Sequence, residues 1–155
     1  MPFPYSPPAY DWLSLIFRLC LALLFGAIVG LERQLKHKPA GLRTHMLVSF
    51  GAALFVLVPI ELGATHQSAE TADTISRVVQ GIAAGVGFLG AGEIMRSPPQ
   101  NRSTEEIHGL TSAAAIWVSA ALGIAAGCGL WQLGLSGALL CLFVLRVVKK
   151  FEPHT

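Results

Sequence analysis

From Leu110 to Leu145 the chain runs thirty-six residues without an Asp, Glu, Lys or Arg. A helix on the surface of a water-soluble domain needs a polar face, and this run has none. Crossing the hydrocarbon core of a bilayer takes about 20 apolar residues, so the run is nearly two spans long. It holds Gly127, Cys128 and Gly129 near its middle, with Trp131 just beyond. Glycine suits a tight reversal and tryptophan favours the membrane–water interface, so the run divides into spans at Leu110 to Ala126 and Gln132 to Val148. The same ruler marks earlier spans at Trp12 to Leu31, Thr44 to Leu62 and Ile75 to Met95. The expected architecture is an all-α integral membrane protein with five transmembrane helices. Residues 12–148 form the transmembrane domain, 1–11 an extracytoplasmic tail and 149–155 a cytoplasmic tail. The proline-rich start lacks the basic residues and small-residue cleavage pattern of a removable signal.

Only 13% of the residues are charged, about half the share of an ordinary soluble domain, and their placement sets orientation. Nine of the eleven Lys and Arg residues lie on one side of a five-span chain: Arg33, Lys36, Lys38, Arg43, Arg96, Arg102, Arg146, Lys149 and Lys150. Arg77 borders the other side, and Arg18 lies inside the first span. Positive residues stay cytoplasmic, which puts the N-terminus outside.

Helices in lipid associate where small residues let backbones approach. Span one carries Ala22, Gly26 and Gly30 at four-residue spacing, with Arg18 one step further out. Span three carries Gly81 and Gly85, with Arg77 one step further out, and continues through Gly87, Gly90 and Gly92. These glycines are the candidate packing positions. Gly41-Leu42-Arg43-Thr44 followed by Gly51-Ala52-Ala53-Leu54 is echoed by Gly109-Leu110-Thr111-Ser112 followed by Ser119-Ala120-Ala121-Leu122. The pattern reads as two parallel copies of a helical hairpin plus a fifth helix, an arrangement that transporters place around a site between the halves.

Ionisable groups at membrane depth are costly and mark candidate function. Arg18 either snorkels outward or pairs with Glu61 or Asp73, and Arg77 is an interfacial anchor. Glu32, Arg33, Arg43, Thr44, Glu93, Arg96, Thr111 and Ser112 all fall at the inner ends of spans one to four and form the candidate polar cluster, in which a glutamate pairs with an arginine of another helix. Thr44 and Ser112 are also candidate N-caps. No phosphate loop, catalytic triad or metal-ligand spacing is present in the sequence, so no enzyme activity, metal or cofactor is expected. The basic tail is explained by topology and calls for no nucleic acid. Cys20, Cys128 and Cys141 are expected as apolar fillers.

The run Gly30-Leu31-Glu32-Arg33, then Ala40-Gly41-Leu42-Arg43-Thr44, Leu47-Val48 and Gly51-Ala52-Ala53 resembles the MgtC/SapB family. So do Gly87-Phe88-Leu89-Gly90-Ala91-Gly92 with Ile94, Met95 and Arg96, and Gly109-Leu110-Thr111 with Ala113, Ala114 and Trp117. The resemblance implies a multi-pass protein of the bacterial inner membrane. The family's best-known members support growth in low magnesium and survival inside host cells, and restrain the proton-translocating ATP synthase. They carry a soluble domain after the last helix, where this sequence stops a few residues beyond Lys150, and an asparagine at the position of Thr111. Two function classes follow: a non-enzymatic regulator that contacts other membrane proteins, the ATP synthase among the candidates, or an ion transporter or channel with Mg²⁺ as the candidate ion. A pathway built from five helices per chain would call for a homo-oligomer.

The charge asymmetry predicts that, in a cysteine-free background, Thr71→Cys reacts with an impermeant thiol reagent from outside whereas Gln100→Cys and His154→Cys do not. Outside labelling at position 100 would overturn the five-span orientation.

Overall fold

The computed structural model describes residues 12–63, 69–96 and 109–148. They form α1 (Trp12–Leu35), α2 (Leu42–Gly63), α3 (Ala69–Arg96), α4 (Leu110–Gly127) and α5 (Trp131–Arg146), with no strand among the described residues. The first four are long and apolar enough to cross a membrane, and α5 is a shorter apolar helix. The expected tails, 1–11 and 149–155, lie outside the described residues.

Helices α1 and α4 end where the sequence supplies a left-handed residue. After α1, His37 takes φ 52, its N–H bonds the Gln34 carbonyl, and the Lys38 N–H reaches back to Arg33. After α4, Gly129 takes φ 75, its N–H bonds Ala126, and the Leu130 N–H reaches Ala125. Both are Schellman closures, which satisfy carbonyls that a helix end would otherwise leave bare. The second is the reversal expected at Gly127-Cys128-Gly129. Helices α1 and α3 run further than the apolar spans, to Leu35 and from Ala69, because polar residues near the interface continue a helix at little cost.

Helix α4 is the centre, packed against each of the other four. Of its most apolar stretch 56% is buried, against 17% for α3. The tightest contacts are backbone to backbone. A Cβ added at Gly123 would collide with the Ser49 carbonyl of α2, and one at Gly127 would stand 3.1 Å from the Ala53 Cα. On the other side of α2, a Cβ at Gly26 would meet the Met46 Cα at 2.8 Å, and one at Gly30 the Leu42 Cα at 2.8 Å. Ser49 adds a tie by donating its hydroxyl to the Ala22 carbonyl at 2.7 Å. Between these contacts sit Ala22, Phe25, Val29, Ala53 and Ala126, all fully buried.

The glycines of α3 behave differently from those of α1. Gly90 lies against Ala113 of α4, where a Cβ would stand 3.3 Å away, but Gly81, Gly85, Gly87 and Gly92 have nothing within 4 Å. The expectation that these four seat a neighbouring helix is not met among the described residues. The hairpin echo in sequence therefore does not extend to packing: Gly26 is pressed against α2, and Gly85, at the same step from its arginine, faces open space. Trp117 is 53% exposed on the outer surface.

A large side chain is thus excluded only at some glycines. Gly123→Leu should destabilise the detergent-purified protein by about 2 kcal/mol or more, since the displaced atoms are backbone. Gly85→Leu should unfold at the wild-type midpoint. Equal losses in the two variants would contradict this packing.

Candidate functional site

The C-terminal end of α1 and the N-terminal ends of α2 and α4 meet around a set of buried polar side chains. Glu32 and Arg33 close α1 and are 1% and 3% exposed. Arg33 donates from Nη1 to Glu32 Oε2 at 3.4 Å and from Nη2 to the Ser112 hydroxyl of α4 at 3.4 Å. His45 of α2 has no exposure at all, and its electrostatic neighbours are Arg33 and Glu32. Cys141 of α5 lies within range of the same two charges. The close approach at Gly26 and Gly30 seals this set from the side: the Cβ of His45 would lie 3.0 Å from one on Gly30.

Hydrogen bonding fixes the form of the imidazole. Nδ1 of His45 lies 2.8 Å from the Gly41 carbonyl, which can only accept, so Nδ1 carries the proton and, in the neutral ring, Nε2 presents a lone pair. That Nε2 is buried without a partner, as are Glu32 Oε1 and Arg33 Nε. The set has two open acceptors and one open donor, complementary to one water molecule or to a proton taken up by Glu32 or His45. Buried atoms of this kind are few in folded proteins, and each carries a desolvation penalty of about 1–3 kcal/mol when left unpaired. Among the described residues no group of three or more His, Cys, Asp and Glu side chains could hold a metal ion.

The structure brings together only part of the expected cluster. Glu32 pairs with Arg33, its neighbour in sequence, in place of an arginine on another helix. Ser112 is not an N-cap: Gly109 holds that position before α4, with no side-chain cap, and the Ser112 hydroxyl is turned inward to Arg33. The first N–H of α2, on Leu42, is met by Gln34 Oε1 at 3.4 Å, which leaves Thr44 without a capping role. Arg43, Thr44 and Thr111 are exposed, and Glu93 is half-buried on α3. Arg96 is the last residue of α3, and its side chain lies outside the described residues. His45 was missed. Its signal was the pair of facing glycines on α1, which leave room for a ring between two helices.

At the opposite end, Arg18 pairs with neither Glu61 nor Asp73 among the described residues. It donates from Nη1 to the Gly127 carbonyl at 3.1 Å, a cation at the negative end of the α4 dipole. Asp73 instead pairs with Arg77 on α3 at 2.8 Å, both well exposed, which adds little to stability.

Removing one member of a buried ion pair strands its partner, at a cost of about 3–5 kcal/mol, whereas removing both is often neutral. Arg33→Gln should therefore lower the unfolding free energy by that order, and Glu32→Gln combined with Arg33→Gln should recover most of it. A double-mutant cycle in detergent unfolding measures the coupling.

Comparison with known proteins gives these residues a context. A family model described as the MgtC family matches residues 19–154. The chain is 50% identical over 147 residues to Protein SrpB of Synechococcus elongatus, covering 94% of this chain and 80% of that one. It is 40% identical over 137 residues to the Escherichia coli (strain K12) protein named "Putative magnesium transporter YhiD", covering 85% and 59%. Protein MgtC of Salmonella typhimurium (strain LT2) is 37% identical over 127 residues, covering 82% and 49%. The chain thus spans about half to three fifths of the length of YhiD and MgtC. No solved structure matches it significantly.

Proposed function

Because the chain belongs to the MgtC family, we propose that it is a non-enzymatic regulatory protein of the bacterial inner membrane, acting by contact with other membrane proteins in physiology tied to magnesium limitation. The proton-translocating ATP synthase is the leading candidate partner, from the family resemblance. The observation that carries this reading is the outer face of α3. Ala84, Gly87, Phe88, Ala91 and Met95 recur at helical spacing and all are exposed, Phe88 at 81% and Met95 at 86%. Small residues at 84, 87 and 91 let another helix approach closely, and the flanking large side chains supply contact area. This face points away from α4 by register, so a partner helix could seat there without disturbing the core.

A transporter is the second reading, favoured by the buried Glu32–Arg33–His45–Ser112 set and by the name of YhiD. Against it, the core between the two ends of the bundle is filled by Phe25, Val29, Ala53 and Ala126. Ser49 and Ser119 turn their hydroxyls to the carbonyls of Ala22 and Ala115 and not to an open path. Mg²⁺ sites use carboxylates and retained waters, and Glu32 is committed to an arginine.

A photo-crosslinking residue at Phe88 in native membranes should give adducts with another membrane protein, lost in Gly87→Leu while the chain accumulates normally. The purified protein in liposomes should pass no Mg²⁺. Flux that disappears in Glu32→Gln would replace the regulatory reading with the transporter.

A further inference from the structure

Between α2 and α3, on a different face of α3 from the outer stripe, lies an apolar groove with a volume of about 640 Å³. Its walls include Leu47, Gly51 and Phe55 of α2 and Gly81, Gly85 and Leu89 of α3, and every residue lining it is apolar. Three glycines make it deep, since a Cβ at Gly51, Gly81 or Gly85 would meet nothing within 4 Å. Walls without neighbours forfeit their dispersion contacts, and an occupant made only of methylene groups restores them without any polar demand.

The end of the groove supplies the charge. One turn before Leu47 and Val48, α2 presents Thr44 and Arg43, both exposed. Neither side chain takes part in a hydrogen bond or ion pair among the described residues, although both had been expected in the buried cluster. They stand in the first turn of α2, at the positive end of its dipole. Lys36 and Lys38 are exposed on the connection just before it. The nearest acidic group on the facing helix is Glu93, half-buried on α3. A guanidinium fork, a hydroxyl and a helix N-terminus together match a phosphate. Basic pockets between transmembrane helices take anionic head groups in this way.

We propose that the α2–α3 groove is a binding site for one anionic phospholipid, with an acyl chain lying along Gly51, Gly81 and Gly85 and the phosphate held by Arg43 and Thr44. The site is independent of the identity of any protein partner, since it uses neither the outer face of α3 nor the buried pair.

The test is native mass spectrometry of the whole chain released from nanodiscs of phosphatidylglycerol or phosphatidylcholine. Wild type should retain one phosphatidylglycerol and little phosphatidylcholine. Arg43→Gln should lower that retention about tenfold, the effect of one charge-assisted hydrogen bond. Gly85→Leu, which fills the groove, should lose the lipid while keeping the wild-type unfolding midpoint. Equal retention of the two lipids, or no effect of Arg43→Gln, would mean ordinary surrounding lipid and overturn the site. Retention in Gly85→Leu would confine binding to the surface and overturn the groove. Disulfide-linked dimers of Gly85→Cys in membranes would assign the groove to a second copy of the chain.

Discussion

Side chains of two helices gain little by meeting each other in lipid, because the hydrocarbon around them is equally apolar. What remains is distance, and α1, α2 and α4 come close enough for one backbone to touch another. Gly26 and Gly30 on one side of α2, and Gly123 and Gly127 on the other, allow this. Dispersion falls steeply with separation, so a Cβ at any of these positions would cost contacts along a whole helix face. The buried polar set exists because of the same approach: two helix ends separated by ordinary side chains would admit water to Glu32, Arg33 and His45.

Much of this was legible in the sequence. A span is forced by its solvent: the bilayer core offers no water to backbone or charge, so apolar runs of sufficient length mark helices. The reversal at Gly129 was equally readable, since only a residue tolerant of positive φ fits there. The end of α1 was less so, because His37 takes the left-handed position that glycine usually fills. Glycine spacing was the weakest guide. It reports that a helix face can be approached and says nothing of what approaches it, so Gly26 and Gly85 look alike in sequence and differ in structure. Side-chain direction was likewise hidden. Ser112 has the composition of a cap and serves an arginine on another helix, and Arg43 sits among polar residues yet points to the surface.

The echo between the two hairpins thus ends in division of labour. The first hairpin and α4 form a closed, close-packed unit around the polar set. In the second hairpin α3 is held by α4 and more sparsely by α2, and keeps glycine on faces that nothing among the described residues covers. A helix so lightly attached has room to take lipid on one side and protein on another, and the two surfaces are set apart by its own register.

The length of α5 bears on the membrane itself. Its 16 residues rise about 24 Å, short of the roughly 30 Å hydrocarbon thickness, and it is bounded by exposed Trp131 and Arg146. Tilting would shorten its reach further, so the mismatch must be met by the bilayer or by flanking side chains. Were α5 to cross the bilayer, lipid beside it would be compressed while lipid beside the 24-residue α1 would not. Such a chain would favour the thinner parts of an uneven membrane and turn its α5 side toward them.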